Sequence, residues 1–292
     1  MKKVVILYSG GLDSFILYKY IKSTQPDAEV KCIYYVHGAD SEQSEMSRLP
    51  HFVERKWIDW LDDRNKPLAK DSDPFAGAIY IPGRNLVFSV MAACQELANE
   101  IVMGTVWDED NPGATDKNEL FREATSALLT YVLSPFINKV TVRFPFVENE
   151  WTKNECVKWA LENDVTPDEL MFTISCWNHK GVACGQCKQC FKRWLVFKLN
   201  GFEEHYAQHP IDSDFGRDLI KQYLDSYIQG NSNRDEETVA RNILECYRKK
   251  LFPWRVMDFI RVNLCDTKYE DEIWLFSDVT ETMPFDWEKK TK

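Results

Sequence analysis

The sequence predicts an α/β protein: a parallel sheet covered by helices on both faces, followed by a cysteine-rich segment and a helical C-terminal extension. Three observations predict it. Apolar strand-like runs alternate with helical stripes through the first half of the chain. A glycine turn, Ser9-Gly-Gly-Leu-Asp-Ser14, stands between the first run and the first stripe. Beyond Gly201, and as far as about residue 265, only helical stripes recur. Such alternation implies parallel strands joined by helical crossovers. Ligands in such sheets bind at the carboxyl ends of the strands.

In order along the chain, Val4–Tyr8 is a continuous apolar run, as expected of a strand buried on both faces. Ser14–Ile21 reads as a helix with Phe15, Leu17, Tyr18 and Ile21 apolar, and Val30–Val36 as the second strand. Residues 45–62 read as a helix. Asn85–Glu100 reads as another, with Leu86, Phe88, Val90, Met91, Cys94 and Leu97 apolar. Ile101–Val106 is the third strand, Glu119–Val132 a helix, and Val140–Phe144 the fourth strand, closed by Pro145. Thr152 opens a helix to about Asn163, and Glu155 three residues on completes a capping box. In the extension, Phe215–Ile228, Val239–Leu251 and the stretch opened by Pro253 carry apolar stripes, and the Ile273–Phe276 run calls for burial. The boundaries expected are 1–170 for the core, 171–201 for the cysteine segment and 202–292 for the extension.

Composition narrows the function classes. The 292 residues are 44% hydrophobic and 28% charged, enough for a sizeable core, and the formal net charge is −10. That balance argues against broad binding to a nucleic-acid backbone, so no direct nucleic-acid partner is expected. The N-terminal apolar run is too short for a secretion signal, and no run approaches a membrane span. A soluble cytoplasmic protein without a membrane partner is the expectation. The nine cysteines are an odd number, which speaks against a disulfide framework.

The glycine turn has the chemistry of an anion site. Gly10 and Gly11 allow a tight bend and bare N–H groups, the helix start adds partial positive charge, and Ser9 and Ser14 add hydroxyl donors. Asp13 suits a phosphate site once a Mg²⁺ lies between them. The turn is neither a Walker A sequence nor a Gly-x-Gly-x-x-Gly dinucleotide fingerprint. The second cluster is Cys176, Cys184, Cys187 and Cys190, spaced C-x7-C-x2-C-x2-C. Four thiolates can close a tetrahedral shell around one Zn²⁺, which makes a structural site with no open position. An iron–sulfur cluster or a redox pair are the other chemistries of such a cluster, although the ferredoxin ending is absent. Lys180, Lys188, Lys192 and Arg193 would offset the negative charge of the centre.

Ser-Gly-Gly-Leu-Asp-Ser after an initial strand resembles the PP-loop of the N-type ATP pyrophosphatases, which cleave ATP between the α and β phosphates. Further motifs narrow the resemblance. "YIPGRNLVFSVMAACQELA", "IVMGTVWDEDNPGATDKNELF", "WTKNECVKWALE" and "TISCW…CGQCKQCFKRW" follow the PP-loop in the order found in the QueC family of 7-cyano-7-deazaguanine synthases. The resemblance spans roughly residues 3–201. Two loops depart from the family pattern: Tyr35–Glu45 is longer and lacks a basic residue, and Pro112-Gly-Ala-Thr-Asp116-Lys shifts the spacing of its proline and aspartate. The extension lies beyond the usual family length.

The resemblance implies an adenine nucleotide alpha hydrolase-like, Rossmann-like core that turns 7-carboxy-7-deazaguanine and ammonia into the 7-cyano base, with ATP and Mg²⁺ as co-substrate. It implies one structural Zn²⁺ on the four cysteines and a homodimer. Ser9, Gly10, Gly11, Leu12, Asp13 and Ser14 would hold ATP and the departing pyrophosphate, with Lys153 joining the phosphate cradle and Asp13 at the metal. Arg84 would clamp the substrate carboxylate. Asn85, Asp116 and His37 would line the substrate side, Asp116 accepting from a guanine-like base. Related activities stay open: an enzyme that stops at the amide or passes the activated base to a macromolecular amine, and a tRNA thiolase. A zinc-knuckle nucleic-acid binder is the non-enzymatic rival; the intact Ser9–Ser14 turn and the acidic charge oppose it.

Overall fold

The computed structural model describes residues 1–37, 42–58, 83–110, 115–176, 181–212 and 214–264. Outside them lie Tyr80–Pro82 of the segment before Arg84, Pro112 to Ala114, Lys180, Cys265 and the Ile273–Phe276 run.

Among the described residues five parallel strands form the sheet: β1 (Lys3–Leu7), β2 (Glu29–Val36), β3 (Val53–Trp57), β4 (Glu100–Val102) and β5 (Thr141–Arg143). Their order is β3-β2-β1-β4-β5. The central strand β1 pairs with β2 on one side and β4 on the other, Val4 lying opposite both Val30 and Glu100. Its Val4, Val5 and Ile6 are at most 1% exposed, which explains why the run carries no polar alternation. The order reverses direction between β1 and β4, so a crevice opens at the carboxyl ends of these two strands.

The pleat sends alternate residues to two cores. Val4, Ile6, Cys32, Tyr34 and Val102 pack with α1 (Leu12–Thr24) and α6 (Lys153–Glu162). Val5, Ile33, Tyr35, Ile101 and Val142 pack with α3 (Arg84–Glu96) and α4 (Glu119–Leu133). A third apolar cluster joins α8 (Lys188–Leu199) to the extension helices α9 (Asp214–Gln229), α10 (Arg234–Arg248) and α11 (Trp254–Leu264). Phe191 of α8 stacks on Tyr223, and Trp194 on Phe252.

The expected helix over 45–62 is corrected. α2 covers only Glu42–Ser47, and β3 follows. Pro50 cannot continue a helix. The strand escapes notice because it lies at the sheet edge: Val53 is buried but Glu54 and Arg55 are exposed, and Trp57 is 65% exposed. Its charges are matched to neighbours instead, Glu54 to Lys31 at 2.5 Å and Lys56 to Glu96 at 2.5 Å. The helix expected to reach Glu100 stops at Glu96, where Leu97 turns left-handed at φ 49°. Lys3 N–H then donates to Asn99 Oδ1 and Asn99 N–H to Lys3 O, both at 2.9 Å, which draws the chain into the sheet. The third strand ends at Val102, short of the expected Val106. Three further helices were not read from periodicity: α5 (Pro145–Glu148), α7 (Pro167–Phe172) and α8.

Candidate active site and metal centre

The glycine turn joins β1 to α1 at the crevice. Gly10 takes φ +77°, a conformation that glycine alone adopts without strain. Ser14 Oγ donates to Gly11 O at 2.9 Å, and Gly11 N–H points at Ser9 Oγ at 3.4 Å, so both hydroxyls lie inside the turn. Leu12, the first residue of α1, is fully buried and anchors the helix under the turn. From the far side Ile174 N–H donates to Gly10 O at 3.0 Å. At the neighbouring strand, Gly104 follows β4. A Cβ there would stand 3.0 Å from the carbonyl carbon of Asp13 and 3.1 Å from Ser14 N, so any side chain would make this segment or the start of α1 give by a few tenths of an ångström.

Asp13 and Lys153 meet across the crevice at 3.0 Å. Lys153 enters from the first turn of α6, which is fixed by the Thr152–Glu155 capping box. Its side chain is only 13% exposed, which is not the setting of a solvated surface lysine. Burial pushes the Asp13 carboxyl above its usual range despite the ammonium beside it. Burial alone would lower the Lys153 pKa, but the charges of Asp13 and Glu109 outweigh it and raise the value. Asp13 Oδ1 is buried and has no partner among the described residues.

A 3-10 turn, Trp107–Glu109, brings two more carboxylates to the same place. Asp108 is 5% exposed and its Oδ1 has no partner among the described residues. Burial, then Glu109, then Asp235 push its pKa up to about 7. Its neighbour Glu109 pairs with Lys117 at 3.0 Å. Burial opposes ionisation of Glu109, yet Lys117 and Lys153 bring its pKa down to about 2. Adjacent carboxyls pushed apart in this way can divide the labour of proton transfer, Glu109 staying ionised while Asp108 exchanges a proton near neutrality. Sequence reasoning missed both. The rule that sites lie at carboxyl ends of strands points to this loop, but nothing in Asp108-Glu-Asp110 tells the three carboxylates apart.

On the other face of the sheet, α3 leads into β4 and α4 into β5, so both helices begin at the carboxyl edge. There Asn85 Nδ2 donates to Asp116 O and to Asp116 Oδ2, each at 3.1 Å, bringing two of the sequence candidates together. Arg84 is the first residue of α3, and its charge reaches Tyr34 on β2. His37 stands just past β2, 9% exposed, edge-on to Phe88. Its Nδ1 lies 2.9 Å from Tyr35 O; a carbonyl can only accept, so Nδ1 carries the hydrogen. Its Nε2 is buried without a partner among the described residues.

The sulfur ligand atoms of Cys176, Cys184, Cys187 and Cys190 all lie within 4.8 Å of one another. Cys184 Sγ and Cys190 Sγ are 3.8 Å apart. A tetrahedral shell with bonds of about 2.3 Å has sulfur–sulfur edges of about 3.8 Å, so the set fits a single ion. Cys184 N–H points at Cys176 Sγ and Gln186 N–H at Cys184 Sγ, as suits thiolates. Two of the cations expected to balance this charge are engaged elsewhere: Lys192 pairs with Asp235, and Arg193 with Glu204. Arg193 is 2% exposed. Its guanidinium forks onto Glu204 and also donates to Thr173 Oγ1, Ser175 Oγ and Leu170 O. It therefore ties the cysteine segment to the loop whose Ile174 holds the glycine turn.

Comparison with known proteins gives names to set beside this geometry. The model of the family described as queuosine biosynthesis protein QueC matches residues 61–201. The 7-cyano-7-deazaguanine synthase of Chlorobium phaeobacteroides (strain BS1) is 27% identical over 240 residues, covering 75% of this chain and 100% of the relative. The 7-cyano-7-deazaguanine synthase of Sulfolobus acidocaldarius is 26% identical over 223 residues, covering 70% of this chain and 47% of the relative, so the chain spans about half the length of that protein. Among solved structures, the U34-tRNA thiolase NcsA from Methanococcus maripaludis with its 4Fe-4S cluster is similar at a TM-score of 0.35 and 16% identity, over 57% of this chain and 58% of that chain.

Proposed function

From the likeness to the QueC family over residues 61–201 and to 7-cyano-7-deazaguanine synthases, we propose that the chain is a member of that family and converts 7-carboxy-7-deazaguanine, ammonia and ATP to 7-cyano-7-deazaguanine. The observation that carries this reading is the convergence at the β1–β4 crevice of the Ser9–Ser14 turn with the Asp13–Lys153 pair and the Asp108–Glu109 turn.

A carboxylate oxygen is a poor leaving group, so it must first be adenylated. The Gly10 and Gly11 backbone and the Ser9 and Ser14 hydroxyls receive the charge that develops on the departing pyrophosphate; such preorganised donors contribute about 3 kcal/mol each. Lys153 sits where its ammonium can neutralise the same charge. Mg²⁺ bound beside the unpartnered Asp13 Oδ1 would screen the phosphates. Arg84 at the start of α3 orients the substrate carboxylate, and the Asn85–Asp116 pair presents an acceptor to the N1–H and amine edge of the base. His37 lines the same edge. Ammonia displaces AMP to give the amide, and Asp108 accepts the proton released. A second ATP adenylates the amide oxygen. Loss of AMP and a proton then leaves the nitrile, so two AMP and two pyrophosphate accompany each product.

The four cysteines would hold one structural Zn²⁺, a proposal supported by their sulfur spacing. A cytoplasmic setting, which keeps the thiols reduced, and a homodimer belong to the same proposal; sedimentation would test the latter. Among the described residues no helix is long and apolar enough to cross a membrane.

The deciding experiment is mass spectrometry of the products formed by purified, zinc-loaded protein with ATP, Mg²⁺, ammonia and 7-carboxy-7-deazaguanine. The nitrile with paired AMP and pyrophosphate is expected. Amide alone would move the assignment to the enzyme that stops one step early. Neither AMP nor pyrophosphate would end the enzymatic reading.

A further inference from the structure

We infer that Arg234, in the first turn of α10, is a positioning residue through which the C-terminal extension sets the acidic turn of the active site. Its guanidinium lies over the Trp107 ring at 4.3 Å. The same group donates from Nη1 to Trp107 O at 3.1 Å and to Asp110 O at 2.9 Å. These two carbonyls bracket Asp108 and Glu109, so one planar cation grips both ends of the turn that carries them.

The grip is rigid at its source. Asn233 caps α10, accepting from Glu236 N–H, while the Glu236 carboxylate accepts from Asn233 N–H. The next residue, Asp235, is bound to Lys192 Nζ at 2.5–2.6 Å. Lys192 lies on α8 two residues past Cys190, so the cysteine segment fixes the first turn of α10 and Arg234 rides on it. From the core side Trp107 N–H donates to Trp151 O at 2.9 Å at the head of the turn, and Lys117 pairs with the Glu109 side chain at 3.0 Å. Without the arginine, Asp110 O loses the hydrogen bond from Nη1, and the backbone end of the turn is held less tightly.

What the turn presents explains why its position matters. Glu109 acts on both Asp13 and Lys153, and Asp108 is buried with an unpartnered oxygen. Both hydrogen bonds leave from Nη1, so a lysine ammonium can make them in part, but only the planar guanidinium also stacks on the Trp107 ring. This inference rests on the proposed ATP-dependent activity for its kinetic arm; its structural arm does not.

The test uses full-length, metal-loaded protein carrying Arg234→Ala or Arg234→Lys. Two quantities are read: pyrophosphate release with ATP, Mg²⁺, ammonia and 7-carboxy-7-deazaguanine, and amide hydrogen exchange. For Arg234→Ala, kcat should fall about ten- to a hundredfold with the KM for ATP held within about threefold, as for a displaced catalytic group. Exchange at Glu109 and Asp110 should quicken, while Ala240 and Ile243 of α10 keep their protection. Arg234→Lys should recover part of kcat. Unchanged turn exchange and kcat would overturn the inference. So would loss of α10 protection in step with the turn, with no recovery by lysine, which would mean that the arginine merely docks the extension. If the wild type is silent in the assay, the proposed function fails, and the exchange arm still decides whether Arg234 holds the turn.

Discussion

Asp108 carries the sharpest expectation at the scale of single residues. Its folded pKa, about 7, stands above the ordinary 3.8 because burial and the charges of Glu109 and Asp235 disfavour the anion. A raised carboxyl pKa means that the folded state binds the proton more tightly. The resulting stabilisation is complete below about pH 4 and is lost as the pH rises through about 7. At about 1.4 kcal/mol per pH unit the loss is at most about 4 kcal/mol. Asp108→Asn removes the titration. Its thermal midpoint should exceed that of the wild type at pH 8 and converge with it at pH 4, while turnover at pH 7 falls at least tenfold, as for loss of a proton acceptor. Parallel midpoint curves across that range would refute the assignment. Glu109 runs oppositely: its lowered pKa stabilises the fold above the unfolded value, and this is lost only as the pH falls through about 2. Sequence alone offered Asp13, Lys153, Arg84 and the cysteines, whose motifs are local. It passed over Asp108 and Glu109 because their distinction comes from Asp235, Lys153 and Lys117, which other segments bring to them.

Among elements, the close pass of the segment after β4 over the start of α1 governs the site. Gly104→Ala would set a methyl 3.0–3.1 Å from backbone atoms of Asp13 and Ser14, where no flexible side chain can yield. The segment or the helix start must shift by a few tenths of an ångström. A misplacement of this kind should cut pyrophosphate release by at least about tenfold. The thermal midpoint should fall by only a few degrees, since the cores on either side of the sheet are untouched. Wild-type turnover in Gly104→Ala would show that the pass is not tight in solution. Helix ends were the legible part of this scale. The Thr152–Glu155 box is present where the sequence puts it, and Thr166-Pro-Asp-Glu169 opens α7 with the same device. Edge strand β3 was not legible, since it is held by backbone pairing with β2 and by buried Val53, while its charged side chains pair with Lys31 and Glu96 instead of continuing an apolar pattern.

At the scale of the whole molecule, the cysteine centre and the extension share one apolar core. Cys176, Cys187 and Cys190 cluster with Phe191, Trp194, Tyr223, Ile243 and Phe252. Removing the metal should therefore loosen more than a loop, because four unligated thiols cannot hold the 176–190 segment closed. Chelation should speed amide exchange across α8 to α11 while β1 and β2 stay protected. Pyrophosphate release should fall at the same time, because Arg193 and Arg234 link this half to the glycine turn and the acidic turn. Retention of α9–α11 protection after complete metal removal would show that the apolar core suffices by itself.

By itself the sequence determined the fold class, the glycine turn with its serines and aspartate, and the four-cysteine centre. Each is written in contiguous residues: apolar runs, a short turn, closely spaced thiols. The tertiary structure alone shows which carboxylates face Lys153, that Asn85 meets Asp116, and that the extension touches the turn carrying Asp108 and Glu109. Those contacts join residues tens to more than a hundred positions apart. Their partners are chosen by strand order and helix packing, which no local pattern records.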